Sequence, residues 1–389
     1  MKREIDTTES LAAWLTAPGP AVFQGLDLTA HSVAIAEAVL WNCSFLGCRM
    51  TPLLGAAAAN AGCLVIPAWP ELPFEAVPHR LYTDQDLYDR LDPADPERSY
   101  RQCRDYAIYT SFMDPASHTP LPADLDVALY RRLHDAAISD CLDEVLDPQR
   151  RLRTVAIMGG HKIKRTDPVY AAVANLAREL SAGGYTIVTG GGPGLMEAGN
   201  LGAYTAGFTG SDDKLDAALE RLAAAPEFNT STWLSTAYEA KRGMGEPTDP
   251  AKGRNIGIPT WFYGHEPANL FATGIAKYFE NSVREEGLLA IALAGVIFGP
   301  GAGGTTQEIF QDACQNYYRS YAKKSPMILY PADFWAPPPL HNRHDPTDRR
   351  KPAYELLEKL AIEGGFSDYI LCTDDLSTVP RFLAQRPPV

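Results

Sequence analysis

Two glycine-rich segments are the parts of this sequence best suited to chemistry. Gly190-Gly-Gly-Pro-Gly194 and Gly301-Ala-Gly-Gly304 each follow an apolar run and precede a helical pattern. Loops of this kind expose consecutive backbone amides at the start of a helix, and such amides bind phosphate. Thr305 and Thr306 follow the second loop and add hydroxyl donors, although a helix N-cap requires the same residue types. The two segments predict a phosphate site.

Two charged residues are predicted to lie beside this phosphate site. Glu308 falls in the first turn of the helix after the second loop, and Arg284 falls on the helix before it. A carboxylate at such a place can act in acid–base chemistry or stabilise a developing positive charge. The plainer interpretations are a helix-dipole partner, worth about 0.3–1 kcal/mol, for Glu308 and a solvated helix charge for Arg284.

Neither glycine loop has the sequence of a better-known phosphate motif. No Gly-Lys-Ser/Thr follows either loop, so neither is a Walker A sequence. Neither fits GxGxxG with an acidic residue about 20 positions later, so a dinucleotide is not specifically predicted. The pair His161-Lys162 is also compatible with a pyridoxal-phosphate lysine, but a basic residue beside phosphate or solvent explains it more simply.

Apolar runs that alternate with helical patterns must position these residues. The predicted strands are residues 153–158, 185–189, 255–259, 293–298, 326–330 and 369–372. Buried strands that alternate with helices predict an α/β fold, a Rossmann-like, doubly wound parallel sheet with helices on both faces. Ligands bind beyond the carboxyl ends of such strands, where the glycine loops lie. Residues 210–225 read as a helical insertion, which is a lid, an oligomer contact or a surface decoration.

The length of 389 residues favours two domains. The chain changes character near residue 150, which predicts an N-terminal region of unknown role (1–149) and a nucleotide-binding domain (150–389). Within the first region Leu40, Phe45 and Met50 recur every five residues, as in a β-solenoid. Three such coils are few, so chance is the preferred explanation.

Composition limits the classes of partner and location. The net charge of −13 disfavours nucleic acid and anionic membranes, whereas a small phosphorylated ligand needs only a local site. The seven cysteines form no CxxC pair, which favours free thiols in a reducing cytoplasm over a metal site. The longest apolar run, of 11 residues at 288–298, is too short to span a bilayer. We therefore expect a cytoplasmic protein without bound metal.

Several segments resemble motifs of one protein family. Gly190–Glu197 resembles the GGGPGxME segment of longer members of the Lonely Guy (LOG) family, and Pro300–Glu308 resembles that family's PGGxGTxxE signature. Gly253–Pro259 followed by His265–Asn269 is similar to the phrase GLNIxLPxEQxxN of the same members. The aromatic-rich helix that ends in Arg284 also matches. The resemblance covers about residues 150–385.

The resemblance implies a nucleoside 5′-monophosphate phosphoribohydrolase, a nucleosidase that releases free base and ribose 5-phosphate. It also implies cytokinin ribotides among the candidate substrates, no organic or metal cofactor, and a homo-oligomer, a dimer or larger. Glu308 and Arg284 would be catalytic, and Glu197 would touch the ribose or lie on the helix surface. The residues implied to bind substrate or phosphate are Gly159, Gly160, Gly191, Gly192, Gly194, Met196, Glu197, Gly301, Gly303, Gly304, Thr305 and Thr306.

Two departures from the family pattern support a second hypothesis. Ala302 replaces the second glycine of the signature, and Glu285 replaces the lysine after the motif arginine. Alanine fits position 302 if its φ is negative, whereas the charge reversal at 285 changes the local electrostatics. The alternative is a non-catalytic protein of the same fold that binds or carries a nucleotide or phosphorylated cofactor.

Overall fold

The computed structural model describes residues 2–321, 323–337 and 348–388. Its strands are β1 Arg3–Ile5, β2 Ala21–Gln24, β3 Ser44–Cys48, β4 Leu64–Pro67, β5 Met113–Asp114, β6 Thr119–Pro120, β7 Thr154–Met158, β8 Thr186–Thr189, β9 Asn255–Gly257, β10 Gly274–Ile275, β11 Gly295–Phe298, β12 Met327–Leu329 and β13 Ile370–Cys372. Its α-helices are α1 Thr8–Thr16, α2 Ser32–Glu37, α3 Pro52–Asn60, α4 Asp84–Leu87, α5 Pro96–Tyr100, α6 Arg104–Phe112, α7 Leu125–Val145, α8 Pro148–Arg151, α9 Pro168–Ala182, α10 Leu195–Thr205, α11 Ser211–Leu222, α12 Trp233–Met244, α13 Asn281–Ile291, α14 Gly303–Tyr318, α15 Ala332–Trp335, α16 Tyr354–Glu363 and α17 Val379–Gln385. Among these helices none is both long and apolar enough to cross a membrane.

A seven-stranded parallel sheet with flanking helices forms the centre of the C-terminal part. Its strand order is β10-β9-β8-β7-β11-β12-β13, so the chain winds outward from β7 in one direction and from β11 in the other. This is the doubly wound, Rossmann-like fold that the alternating pattern predicts. All residues of β7 and β11 are buried, as expected for apolar strands covered on both faces. The switch in direction lies between these two strands, where ligands bind in open α/β sheets.

The flanking helices contact one another in two groups. Helices α9 to α12 form the first group, and α13, α14 and α16 form the second. Helix α9 begins at Pro168 after the N-cap Asp167, whose side chain accepts from Val169 N. Helices α9 and α10 pack closely at Gly202, where an added Cβ would lie 1.9 Å from Ala174 O. The insertion predicted to be helical contains α11, which packs against α12.

Residues 2–67 form a smaller α/β unit. Its four parallel strands, which start at residues 3, 21, 44 and 64, lie side by side in chain order. Phe23 and Phe45 from adjacent strands stack with ring centroids 4.7 Å apart. Leu40 and Met50 lie outside β3, so the five-residue recurrence of Leu40, Phe45 and Met50 is not a repeating coil, in agreement with its explanation by chance. The repeating unit is a strand with its connection of about 20 residues, a stacking typical of solenoids, and not a five-residue coil.

Residues 74–146 pack against the large sheet. The hydrophobic cluster of the small unit ends at Ala58, and the cluster that contains the large sheet begins at Phe74 and includes residues of α6 and α7. Asp105 of α6 is fully buried and pairs with Lys277 Nζ at 2.6 Å. The predicted boundary at residue 149 lies just before the first strand of the large sheet. The division between the two hydrophobic clusters lies earlier in the chain, between Ala58 and Phe74.

Candidate functional site

The glycine loops meet at the carboxyl ends of the central strands. Gly159-Gly160 follows β7, Gly190–Gly194 follows β8, and Gly299–Gly304 follows β11. Gly160 N donates to Pro300 O at 2.8 Å, and Leu195 N donates to Gly160 O at 3.3 Å. The three segments predicted to bind phosphate and substrate therefore contact each other at the switch point of the sheet.

Gly194 cannot be replaced without disturbing this contact. Its φ of +68° lies in the left-handed region, and an added Cβ would lie 2.3 Å from Gly160 O. Only glycine combines that backbone conformation with so close an approach. The positive φ of Gly191, +71°, gives the loop its second sharp change of direction.

A buried polar network holds the Gly190–Gly194 loop from below. Thr189 Oγ1 accepts from Gly191 N at 2.9 Å and donates to Asn200 Oδ1 at 2.7 Å. Asn269 Nδ2 donates to Asn200 Oδ1 at 2.8 Å and to Gly192 O at 3.1 Å. Networks of this kind fix one conformation, because each unpaired buried group would be costly. The loop therefore presents a fixed wall to a ligand.

Arg284 and Glu308 converge beside this wall. The distance from Arg284 Nη1 to Glu308 Oε1 is 3.8 Å, and both side chains are largely buried. Arg284 Nε donates to Ile258 O at 2.7 Å, and Nη2 donates to Gly190 O at 3.4 Å. A Cβ added at Gly190 would lie 2.4 Å from Nη2, so the guanidinium rests directly on the loop. The two residues chosen from the sequence thus share one site.

The first turn of α14 offers free amides one turn before Glu308, which is the sixth residue of the helix and not, as the sequence had suggested, part of its first turn. Ala302 is the N-cap with φ −100°, so alanine is compatible with the backbone there, and it has no side chain that caps the helix. Gly303 and Gly304 are exposed, and within the described part of the chain no heavy atom lies within 4 Å of an added Cβ at either. Amides of a first helical turn have no intrahelical acceptor, so this turn is open to an anion.

The two threonines of this turn differ from the sequence expectation of free hydroxyl donors. Thr305 is buried, and its Oγ1 would lie 2.2 Å from a Cβ added at Gly301. Its side chain therefore packs on the backbone of the loop. Thr306 Oγ1 donates to Ala302 O at 3.2 Å. The backbone amides remain the main groups here that can hold a phosphate.

Burial changes the protonation of Glu308. Loss of solvent raises the pKa of Glu308 to about 7, with Arg284 opposing the rise and the carboxylate of Glu285 adding to it. Glu285 itself accepts from Asn281 Nδ2 at 2.7 Å and from Gln307 Nε2 at 3.1 Å. The residue that departs from the family pattern therefore links α13 to α14 and increases the basicity of Glu308.

Replacing Glu308 by glutamine is expected to stabilise the fold at pH 8 more than at pH 5. The pKa of Glu308 is raised from 4.5 to about 7, so the folded chain holds this proton more tightly than the unfolded chain does. The resulting stability is fully present below pH 4.5 and is lost as the pH rises through 7. A neutral amide avoids this loss, which we expect to be worth about 1–3 kcal/mol.

Urea unfolding of wild type and Glu308→Gln at both pH values measures this effect. If wild type and Glu308→Gln differ in stability by the same amount at pH 5 and pH 8, the raised pKa of Glu308 is contradicted.

A second acid–base pair, which the sequence analysis assigned no role, lies at the same sheet edge. Glu266 Oε1 lies 3.2 Å from His161 Nδ1. Burial raises the pKa of Glu266 to about 7, against the opposing charges of Arg284 and Lys162. Burial also lowers the pKa of His161, as do the charges of Lys162 and His265. The signal that could have identified both residues is their position after β7 and β9, whose carboxyl ends meet at this edge.

Met196 and Glu197 have different surroundings although they are adjacent. Met196 Sδ would lie 2.7 Å from a Cβ added at Gly190, so Met196 lines the site. Glu197 is fully buried and accepts from Arg165 Nε at 2.8 Å, Arg165 Nη2 at 2.5 Å and Tyr170 Oη at 2.9 Å. A surface position on the helix was therefore a wrong alternative for Glu197. Its carboxylate oxygens are engaged within the protein.

Helix α7 supports the helix that carries Arg284. Asp135 Oδ1 accepts from Phe279 N at 2.9 Å, and Oδ2 accepts from Glu280 N at 2.8 Å. A carboxylate at the start of α13 satisfies free amides and complements the helix dipole. The region before residue 150, to which the sequence assigns no role, thus helps to fix the position of Arg284.

Comparisons with known proteins show little similarity. No family model matches the chain, and no curated protein matches it. One solved structure to which it is similar is a molybdenum cofactor binding protein from the phototrophic bacterium Rippkaea orientalis. The identity is 15%, the match covers 60% of this chain and 95% of that chain, and the TM-score is 0.34. Similarity at this level carries no argument about ligand or activity.

Proposed function

We propose that this chain is a hydrolase of the LOG type that cleaves the N-glycosidic bond of a nucleoside 5′-monophosphate to give free base and ribose 5-phosphate. The observation that supports the proposal is the 3.8 Å approach of Arg284 to Glu308, one turn from the open amides of Gly303 and Gly304. We also propose a cytoplasmic location, as the composition favours, and a homo-oligomer, as the resemblance implies.

The phosphate supplies binding energy at a distance from the bond that breaks. The first-turn amides of α14 hold the 5′-phosphate, and the helix dipole favours its negative charge. Binding at this remote group fixes the position of C1′ relative to the carboxylate. Gly191, Gly192 and Met196 line the site beside the sugar.

Glu308 acts on the sugar carbon and on water. Cleavage passes through a ribosyl centre with positive charge, and a nearby carboxylate stabilises that charge and orients the attacking water. A pKa of about 7 suits a group that accepts a proton from water at neutral pH. Arg284, held by the carbonyls of Ile258 and Gly190, keeps the carboxylate in place.

A panel of nucleoside monophosphates tests the proposed activity. Purified protein is incubated with AMP, CMP, GMP, UMP and a cytokinin ribotide, and products are separated by chromatography. Release of base and ribose 5-phosphate from at least one nucleotide is expected. Absence of release from all five would refute the hydrolase. Stoichiometric nucleotide binding without product would instead establish the alternative carrier function.

Replacing Gly304 by aspartate is expected to raise KM for the nucleotide at least tenfold. The new carboxylate would stand at the phosphate position, and like charges in contact near a protein surface repel by a kcal/mol or more, equivalent to about tenfold. Position 304 has room for a side chain, so the fold should tolerate the change. Steady-state kinetics measures KM.

The matched control is Gly243→Asp on α12, where an added Cβ also meets open space. This variant should keep the wild-type KM. An unchanged KM in Gly304→Asp would show that the phosphate does not bind at the start of α14.

A further inference from the structure

An aromatic cleft lies next to the candidate site. It has a volume of about 420 Å³ and lies among α5, α6, the start of α12 and the loop that carries Glu266. Its lining includes Tyr100, Tyr106 and Tyr109 from residues before 150, and Phe228 and Trp233 from the segment before β9. We call it the tyrosine cleft. Its size falls within the range of small-molecule sites, about 300–1,000 Å³.

The rings of the tyrosine cleft are arranged to accept a planar group. Tyr100 and Tyr106 meet at 5.5 Å between centroids and 66° between planes, and Tyr106 and Tyr109 meet at 6.1 Å and 60°. Tyr100 and Tyr106 are partly exposed, and nucleobases stack on aromatic side chains. Tyr109 and Trp233 are buried and form the floor of the cleft. Asn229, Thr230 and Ser231 also line the cleft and offer hydrogen bonds to the edge of a heterocycle.

A continuous series of contacts joins the cleft to the start of α14. Gly264 lies directly on the ring of Tyr109, since an added Cβ would be 2.2 Å from Cδ2. The rings of Phe228 and His161 meet edge to face at 5.4 Å. The loop of His161 in turn touches the third glycine loop, because a Cβ at Gly160 would lie 3.4 Å from Gly301 Cα. These contacts place His161 between the aromatic lining of the cleft and the third glycine loop.

We propose that the tyrosine cleft binds the heterocyclic base of the nucleotide and that His161 donates the proton that the base needs to leave. This inference rests on the proposed hydrolase for its chemistry, although the binding of a base in the cleft is independent of turnover. Glu266, behind His161, is a positioning residue that stores the proton. The occupant is a planar heterocycle, because aromatic rings and neutral hydrogen-bonding groups form much of the lining. The cleft is also lined by Glu97, Arg101, His118 and His265.

The proposed proton relay uses the 3.2 Å contact between Glu266 Oε1 and His161 Nδ1. Burial disfavours charge on both Glu266 and His161, raising one pKa and lowering the other. In the proposed step the protonated carboxyl donates to Nδ1 across the 3.2 Å contact, which lacks the alignment of a hydrogen bond in the resting structure, and the hydrogen of the ring is on Nε2. Nε2 can then donate this hydrogen to the leaving nitrogen of the base.

The step is balanced. The C1′–N bond breaks and its electron pair stays on the base nitrogen, which takes the hydrogen of His161 Nε2 while Nδ1 receives the proton of Glu266. The water oxygen bonds to C1′ and its proton passes to Glu308. Base and ribose 5-phosphate leave, and exchange with solvent returns a proton to Glu266 and removes one from Glu308.

Calorimetric titration with adenine, hypoxanthine, cytosine, uracil and ribose 5-phosphate tests the cleft. Wild type is expected to bind at least one of the four bases. Ser231→Trp, which fills the cleft from an exposed position, and Tyr106→Ala should each weaken that binding at least tenfold. Both should bind ribose 5-phosphate within twofold of wild type. Gln149→Trp, which adds the same bulk on the exposed surface of α8, should change neither affinity.

The result that would overturn the cleft assignment is equal base affinity in wild type and Ser231→Trp, or no binding of any of the four bases. A protein that binds a base in the cleft but releases none from any nucleotide would refute the hydrolase and support the cleft.

A comparison of leaving groups tests His161. His161→Gln should lower kcat for the best nucleotide about 100-fold, the usual worth of a positioned acid. The same variant should lower kcat less than fivefold for 4-nitrophenyl ribofuranoside 5-phosphate, whose leaving group departs as a stable anion. Equal losses with both substrates would show that His161 is not the acid. Glu266→Gln should remove the falling, alkaline limb of the pH profile near pH 7 and keep the rising limb that reports ionisation of Glu308.

Discussion

Replacing Glu308 by glutamine is expected to lower kcat for base release about 1,000-fold, the combined worth of a lost general base and a lost stabilising charge. The amide has nearly the same shape, but it neither accepts a proton from water nor stabilises a cationic sugar. KM should change less than threefold, because the amides that hold the phosphate belong to the backbone of α14. Single-turnover kinetics, with folding checked by circular dichroism, measures the effect.

Glu285→Gln is the matched control for this change. Glu285 is another glutamate near the site, and it contacts Asn281 and Gln307 rather than Arg284. Its loss should change kcat less than tenfold. Because Glu285 raises the pKa of Glu308, the pH profile of the control should shift toward lower pH. Retention of full activity in Glu308→Gln would refute the mechanism.

Replacing Glu197 by leucine is expected to destabilise the fold by about 3–5 kcal/mol, the usual cost of breaking a buried ion pair. The change leaves the guanidinium of Arg165, which is almost completely buried, without a compensating charge. It also removes the acceptor of the hydroxyl of Tyr170. Denaturant unfolding of the variant and of wild type measures the loss.

Two controls separate this structural role from a contact with ribose. Tyr170→Phe removes one neutral hydrogen-bond donor and should cost about 1 kcal/mol. The double variant Arg165→Met/Glu197→Leu replaces the pair by apolar side chains and should recover part of the lost stability. Wild-type stability in Glu197→Leu together with a raised KM would instead put this carboxylate in contact with substrate.

The fold was largely predictable because local signals agree with it. Apolar strands, helical spacing and glycine turns follow one another from residue 153 onward, and few topologies accommodate such an alternation. The same regularity brings Arg284 and Glu308 to one sheet edge. Strand β10 was missed, because Gly274-Ile275 is too short to produce a periodic pattern.

The remaining site residues depend on contacts that no local pattern contains. His161 meets Glu266 across more than 100 residues of sequence, and a histidine next to a lysine in a loop has many plain explanations. Glu197 lies within a motif that suggests a ligand contact, yet Arg165, 32 positions earlier, takes its charge. Tertiary packing decides both cases, and sequence spacing carries no information about it.

The capping of α13 by Asp135 limits where this chain can be exchanged with the corresponding part of a homologue. The scaffold that orients the guanidinium of Arg284 is distributed over two distant stretches of sequence, so we expect the large sheet to need α7 to hold this side chain in place. Exchange between homologues should preserve activity when the crossover falls among residues 68–73, between the two hydrophobic clusters. A crossover near residue 150 would separate co-adapted partners, and their interface would have to be selected anew.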